Sequence, residues 1–334
     1  MPFQFRVRPR LPLAALLAAL LASASLAPAQ AQTGASYPNR PIRLVVPFPA
    51  GGATDLLARA VSQKLASQLG QQLVVDNKAG AGGTLGSQEV AKAAPDGYTL
   101  LVATSSTHAI GPHLNPRLGY KVEEDFSPVG QIAQAANLLL VTPGLPVKDV
   151  RELIALAKSK PGQLNYASSG NGTIVHLSTE AFKSQAGVFI THIPYRGTGL
   201  SMPDLAAGNV QLLIDSIVSG LPHVKDGRIR ALAVTGRSRS ALAPELPTVA
   251  ESGLPGYESV TWFGLYAPKG LPAALQTRLN QELNTALQSA EVRERLARLG
   301  AEPAGGSPAQ FAALVKADSE RWGRLIRERK ITLD

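Results

Sequence analysis

Pro47-Phe48-Pro49-Ala50-Gly51-Gly52-Ala53-Thr54-Asp55 lies between two segments of different periodicity. Ile42-Arg43-Leu44-Val45-Val46, before it, is short, apolar and β-branched, the pattern of a strand buried in a parallel sheet. From Leu56 to Leu69, after it, apolar residues recur at helical spacing. The nine residues therefore join the carboxyl end of a strand to the amino end of a helix, the corner at which α/β sheets bind ligands. Gly51 and Gly52 allow the backbone a close approach to a ligand, and the unpaired N–H groups of a first helical turn attract anions. Anion recognition is the first functional reading.

The same strand, polar turn, helix grammar repeats along the chain. Gln72–Val75 reads as a strand entering the glycine-rich turn Asn77–Thr84, and Tyr98–Ala103 as a strand ending at Thr104-Ser105-Ser106-Thr107. Asn137–Val141 is a strand, and Val150–Lys158 a helix stopped by Pro161-Gly162. Leu164–Ala167 runs into Ser168-Ser169-Gly170-Asn171-Gly172-Thr173, and Phe189–Tyr195 into Arg196-Gly197-Thr198-Gly199. Val210–Asp215, Ile229–Thr235 and Trp262–Ala267 read as further strands. Beyond Pro272 the pattern is helical, broken at Gly300–Ser307. This is an α/β grammar, and a chain of about 300 mature residues is long enough for two lobes. If two such sheets form, their turn-bearing edges can face each other across a cleft.

Residues 1–31 have the composition of a signal peptide: Arg6, Arg8 and Arg10, then an Ala/Leu run over Leu11–Leu21, then Ala29-Gln30-Ala31. Its removal lowers the formal charge from +9 to +6. No later segment is long and apolar enough to span a bilayer. The chain has no cysteine, which excludes disulfides and a lipoprotein anchor. Aromatic residues are 5% of the chain and do not interleave with bases, so no nucleic-acid partner is expected. Five basic residues between Arg321 and Lys330 read as a solvated helix face. Gly80-Ala81-Gly82-Gly83 lacks the spacing of a phosphate loop or dinucleotide fingerprint. His108 and His113 flank a loop, His176 lies within a helix and His192 within a strand. None has a metal-ligand pattern, so no metal and no cofactor are expected.

Tyr37-Pro38-x-x-Pro41-Ile42, Pro47-Phe48-Pro49-x-Gly51-Gly52-x-x-Asp55, Ala94-Pro95-Asp96-Gly97-Tyr98-Thr99-Leu100, His192-Ile193-Pro194-Tyr195-Arg196-Gly197, Pro247-Thr248-Val249-Ala250-Glu251-x-Gly253 and Ala267-Pro268 follow one another in order. The set resembles the tripartite tricarboxylate transporter substrate-binding receptors, periplasmic solute-binding proteins of the Bordetella uptake gene type. It covers the chain from about Tyr37 to its end. The resemblance implies a type II, "Venus flytrap" binding protein of the α/β class, each lobe a mainly parallel sheet flanked by helices. Lobe 1 would comprise 37–136 plus 262–334, and lobe 2 would comprise 137–261. It implies a monomeric, non-enzymatic receptor that captures a small carboxylate and delivers it to membrane permease subunits. The alternatives are a ligand sensor for a two-component system and an exported hydrolase. For the hydrolase, Ser168 or Ser169 can be written with His176 or His192, but no Gly-x-Ser-x-Gly elbow is present.

In this reading Ala50, Gly51 and Gly52 offer backbone N–H groups, directly or through water, to one carboxylate, and Phe48 walls the ligand's carbon chain. Asp55, a poor partner for an anion, supports the loop instead. Ser168, Ser169, Gly170, Asn171 and Thr173 form a second anion cradle or an ordinary helix cap, and Ser105, Ser106 and Thr107 a third turn with the same two readings. Arg196 could pair a distal carboxylate, and Tyr195 could donate its hydroxyl or pack on the ligand. The amides of Gly197 and Thr198 are the alternative contacts. Asp215, at a strand end, would accept from a ligand amine, hydroxyl or water and so tune ligand choice.

Overall fold

The computed structural model describes residues 1–4 and 37–332, so the signal segment expected over 1–31 falls, after its first four residues, outside the described residues. The elements of the fold belong to the unit that begins at Arg40. In chain order, β1 (Ile42–Val46), α1 (Ala53–Leu69), β2 (Leu73–Asn77), α2 (Thr84–Ala91) and β3 (Thr99–Thr104) come first. Then follow β4 (Phe126–Val141), α3 (Val150–Ser159), β5 (Asn165–Ser168), α4 (Ile174–Ala186), β6 (Thr191–Pro194) and α5 (Thr198–Ala207). The chain continues through β7 (Leu212–Ser216), α6 (Ile217–Lys225), β8 (Arg230–Val234) and β9 (Val260–Pro268). It ends with α7 (Ala273–Gln288), α8 (Ala290–Leu299), β10 (Glu302–Gly305) and α9 (Pro308–Arg329).

Two half-sheets share one long strand. In the first, β2, β1 and β3 run parallel, β9 pairs antiparallel with β3, and β4 pairs antiparallel with β9 from Phe126 to Ala136. β4 then continues into the second half-sheet, where Asn137–Val141 pair antiparallel with β7, and Leu138–Val141 also with β8. β7 leads on to β5 and β6 in parallel. Parallel strands of one half-sheet all end at the same edge, which is why their following turns gather in one place.

Sequence pattern located β4 only over Asn137–Val141. Its first part carries Pro128, Gly130 and a run of alanines rather than β-branched residues, and its register slips at Pro128/Gly130 and Gln131/Ala133. Pairing along both edges, not propensity, holds that part extended. β10 pairs antiparallel with β4 inside the stretch expected only to break the helices.

Each half-sheet has its own core. Leu57, Val61, Leu65 and Leu69 repeat every four residues along α1 and are buried, as are Leu44, Leu100 and Val102 on the strands. Burying each such side chain contributes roughly 1.5–3 kcal/mol. The second core joins Leu139, Leu153, Tyr166, Phe182, Leu212, Ile214 and Tyr257. On β9, Gly264 leaves room for the buried Phe311 ring of α9, which also contacts Trp262 and Tyr266. A Cβ at Gly264 would lie 1.9 Å from Phe311 Cζ. Gly264→Ala should therefore destabilise the fold by about 1–3 kcal/mol, read as a lower urea midpoint at unchanged slope.

Candidate anion-binding site

Turns from both half-sheets surround one cavity with two chambers. The inner chamber, about 50 Å³, is bounded by Gly52–Thr54 after β1, by Gly197–Gly199 after β6, and by Asp215, Asn137 and Thr261. The outer chamber, about 380 Å³, is bounded by Gly80–Thr84, Gly170–Gly172 and Tyr195-Arg196. Phe48, Ser106 and Ser169 line both.

Helix starts at this cavity are of two kinds, and α4 and α6, which also reach the inner chamber at Ile174 and Ser216, are side-chain capped. The helices α3, α4, α6, α8 and α9 are capped by side chains of Asp149, Thr173, Ser216, Ser289 and Ser307. By contrast, α1, α2 and α5 begin at Gly52, Gly83 and Gly197, with no side-chain cap. All three open onto the two chambers. The first turns of α1 and α5 direct their N–H groups and the positive end of the helix dipole at whatever occupies the cavity, whereas in α2 the Thr84 and Leu85 amides bond the Ala81 and Gly80 carbonyls.

The turns meet closely across the cavity. Gly197 has φ +149°, and a Cβ there would come within 2.6 Å of the Pro49 ring. Gly82, at φ +66°, would place a Cβ 3.0 Å from the Asn171 carbonyl oxygen. Only glycine combines these backbone conformations with such contacts.

Asp55 is buried at the start of α1. Its carboxylate accepts from the Gly51 amide at 3.0 Å, from Arg59 Nε at 3.0 Å and from Asn77 Nδ2 at 3.1 Å, while Asn77 Nδ2 also donates to the Phe48 carbonyl. Burial opposes ionisation of Asp55, but the hydrogen bonds from Arg59, the Gly51 amide and Asn77 outweigh it and hold the carboxyl below its ordinary range. This consumes the Gly51 amide. Neither Gly51 nor Ala50 lines a chamber, whereas Gly52, Ala53 and Thr54 line the inner one.

Several expected contacts are likewise spent inside the fold. Ser105 Oγ accepts from the Trp262 amide, and Thr107 Oγ1 bonds the Thr104 backbone and His108. Ser168 Oγ accepts from the Gly170 amide and lies 2.6 Å from His192 Nε2. Thr173 caps α4, and the Tyr195 hydroxyl donates to Asp204 at 2.6 Å. Ser105, Thr107, Ser168 and Thr173 therefore support the turns rather than line the chambers. Ser106 and Ser169 remain at the cavity, with Ser106 Oγ accepting from the Ile174 amide at the start of α4. Arg196 is exposed and is the only charged side chain among the described residues lining the outer chamber.

Asp215 is the only charged side chain among the described residues lining the inner chamber. It accepts from Ser219 Oγ at 2.6 Å. Burial pushes its carboxyl up to about 6, against hydrogen bonds from Ser219, the Ser216 amide and Thr198 that favour the charged form.

Sequence reading missed Thr54, Asn137, Ser216, Thr261 and Phe263 in the inner chamber and the Gly80–Thr84 turn in the outer one. The turn had a usable signal: glycines at a strand's carboxyl end. Asn137 and Thr261 had none, because their place depends on β4 and β9 crossing beside the cavity.

Two half-sheets sharing a strand, with glycine-capped helices converging on one cavity, define a two-lobed periplasmic binding protein. The chain belongs to the tripartite tricarboxylate transporter receptor family, whose description "Tripartite tricarboxylate transporter family receptor" its sequence matches over residues 57–331. Protein BugT of Bordetella pertussis is 40% identical over 318 residues, spanning 95% of this chain and 97% of BugT. The structure of R. palustris Rpa4515 with adipate superposes with a TM-score of 0.87 at 42% identity, covering 89% of this chain and 99% of that one. MatC from Rhodopseudomonas palustris with bound malate gives 0.83 at 36% identity, covering 87% and 100%.

Because the folded state holds the Asp215 proton more tightly than the unfolded chain, its contribution to stability falls as pH rises from about 4 through about 6. Asp215→Asn should melt close to wild type at pH 4. At pH 7.5 it should gain stability relative to wild type, by about 3 kcal/mol at most. Melting temperature against pH for both proteins checks this.

Proposed function

We propose that the protein is a periplasmic receptor that captures a small carboxylate between the two lobes and presents it to the permease of a tripartite transporter. The observation that carries this reading is the convergence of α1 and α5, one from each half-sheet and both without side-chain caps, on the inner chamber. Backbone N–H groups at a helix start are anion donors that bring no counter-charge of their own. The inner chamber has Asp215 and no cation among its described lining residues, so a carboxylate there is held by amides and hydroxyls rather than by an ion pair. Such binding is reversible, as delivery to a permease requires. Membership of a receptor family, and relatives whose structures hold adipate and malate, support the same ligand class.

In this reading residues 37–136 plus 262–334 act as one lobe and 137–261 as the other, with 1–31 removed on export. The contacts at Gly197 and Gly82 belong to a closed form, which a ligand bridging both lobes stabilises through its higher affinity for that form. Asp215 meets a hydroxyl or ammonium group of the ligand, or donates its own proton below about pH 6. Arg196 stands at the rim of the outer chamber for a second carboxylate. The receptor works as a monomer and carries out no chemistry.

A thermal-shift screen of small di- and tricarboxylates, followed by calorimetry, tests the reading, since a ligand at 100 times its Kd stabilises the fold by about 2.7 kcal/mol. At least one acid should raise the melting temperature. In Gly197→Val, where the new side chain meets Pro49, affinity for that acid should fall about tenfold or more while the fold persists. A screen without a hit, or a Gly197→Val variant with undiminished affinity, would contradict capture by closure.

A further inference from the structure

Where β4 and β9 pass from one half-sheet to the other, they also border a second cavity of about 540 Å³. Its floor holds Gln134, Ala136 and Val260, and Ala136 and Val260 are partners in the β4–β9 register. Neighbouring residues on a strand point to opposite faces. Asn137 and Thr261, one residue beyond Ala136 and Val260, line the inner chamber. The two cavities therefore lie on opposite faces of the same pair of strands.

The walls of this rear cavity come from different half-sheets. One wall is the 236–242 segment with Glu258, and this segment follows β8 of the second half-sheet. The other is 297–303, running from the end of α8 into β10, which pairs with β4 in the first half-sheet. Polar groups are paired within each side: Arg237 with Glu258 at 2.8 Å, Arg239 with Glu251 at 3.2 Å, and Gln134 Nε2 donating to Glu302 at 3.0 Å. Among the described residues no hydrogen bond or ion pair links 236–242 to 297–303. They touch at Gly300, where a Cβ would lie 3.2 Å from Leu242 Cδ1 and 3.0 Å from Ile217 Cγ2 at the start of α6. Such an apolar contact has no directional bond to break and can slide. Gly236, Ser238, Ser240, Ala241, Ala297 and Ala301 keep the rest of the lining small.

At the front, the turns of the two half-sheets are already in contact, Gly197 with Pro49 and Gly82 with Asn171. The front is shut while the rear stands open. Gaps on opposite faces of a hinge change in opposite senses, so a rotation about the strand crossing that parts the front turns brings the rear walls together.

We propose that the rear cavity limits opening of the cleft: its walls must close for the front turns to part, and an occupant wedged between them holds the receptor shut. The proposal rests on the capture-by-closure reading above. Its consequence is quantitative, because the apparent Kd of a ligand that needs the shut form falls as the shut fraction rises.

Two variants insert the wedge, Ala297→Trp from an exposed position on α8 and Ala241→Trp from the exposed opposite wall. Ala312→Trp, exposed on α9 outside this cavity, is the control. Amide hydrogen exchange of the full chain without any acid should slow about fivefold or more at Gly52–Thr54 and Gly197–Gly199 in both wedge variants, and stay at the wild-type rate in the control. Calorimetry with adipate should show Kd lowered about fivefold or more by each wedge. Unchanged exchange at these turns in either folded wedge variant, slowing that Ala312→Trp reproduces, or weaker adipate binding in the wedge variants overturns the proposal. If no acid binds the wild type, the capture reading falls, and exchange in the acid-free proteins decides the role of the rear cavity by itself.

Discussion

The hydrogen bonds of Asn137 fix the point at which β4 leaves one half-sheet and enters the other. Its amide donates to Thr235 Oγ1 at 2.8 Å, its Nδ2 to the Ser259 carbonyl and hydroxyl, and its Oδ1 accepts from Thr261 Oγ1 at 3.1 Å. The Thr235 amide and hydroxyl return hydrogen bonds to the Asn137 carbonyl. Polar groups buried at a crossing of two strands must be paired, since an unpaired one costs about 1–3 kcal/mol. The network meets that demand and ties the segments before β9 and after β8 to β4. Both half-sheets take their relative placement from this crossing, and Asn137 itself reaches the inner chamber.

That placement gives meaning to the glycine caps. A serine or aspartate at Gly52, Gly83 or Gly197 would satisfy its own helix and present a lone pair, not a donor, to the cavity. Gly197 also passes against the Pro49 ring where a side chain could not. In the proposed reading the same residue choice serves both anion recognition and the close approach of the turns. Asp55, Asn77 and Arg59 provide the rigidity that glycine removes, holding the first turn from behind without entering the cavity.

Much of this was legible in the sequence, because its signals are local. The strand ending at Val46, the glycine turn and the helix from Leu56 to Leu69 identify themselves by periodicity, and Asp55 at the entry to that helix reads as loop support rather than ligand. Hydroxyl direction was not legible. Ser105 and Ser106 are neighbours of one type, yet Ser105 accepts from the Trp262 amide inside the fold and Ser106 from the Ile174 amide at the wall of the cavity. Thr173 and Ser169 lie in one polar turn, but Thr173 is consumed as a helix cap. These outcomes depend on partners distant in sequence, as does the burial of His108, which the sequence placed beside a loop and the fold encloses among Tyr120, Phe126 and Tyr266. The first part of β4 was hidden for the same reason, since small residues are kept extended by strands more than one hundred residues away in sequence.

Capture of one carboxylate between turns of both lobes is most directly tested by amide hydrogen exchange, measured with and without a saturating dicarboxylate. Protection should rise together at Gly52–Thr54 and at Gly197–Gly199, the first turns of α1 and α5. Protection confined to one of these turns, with the other exchanging as in the free protein, would contradict it.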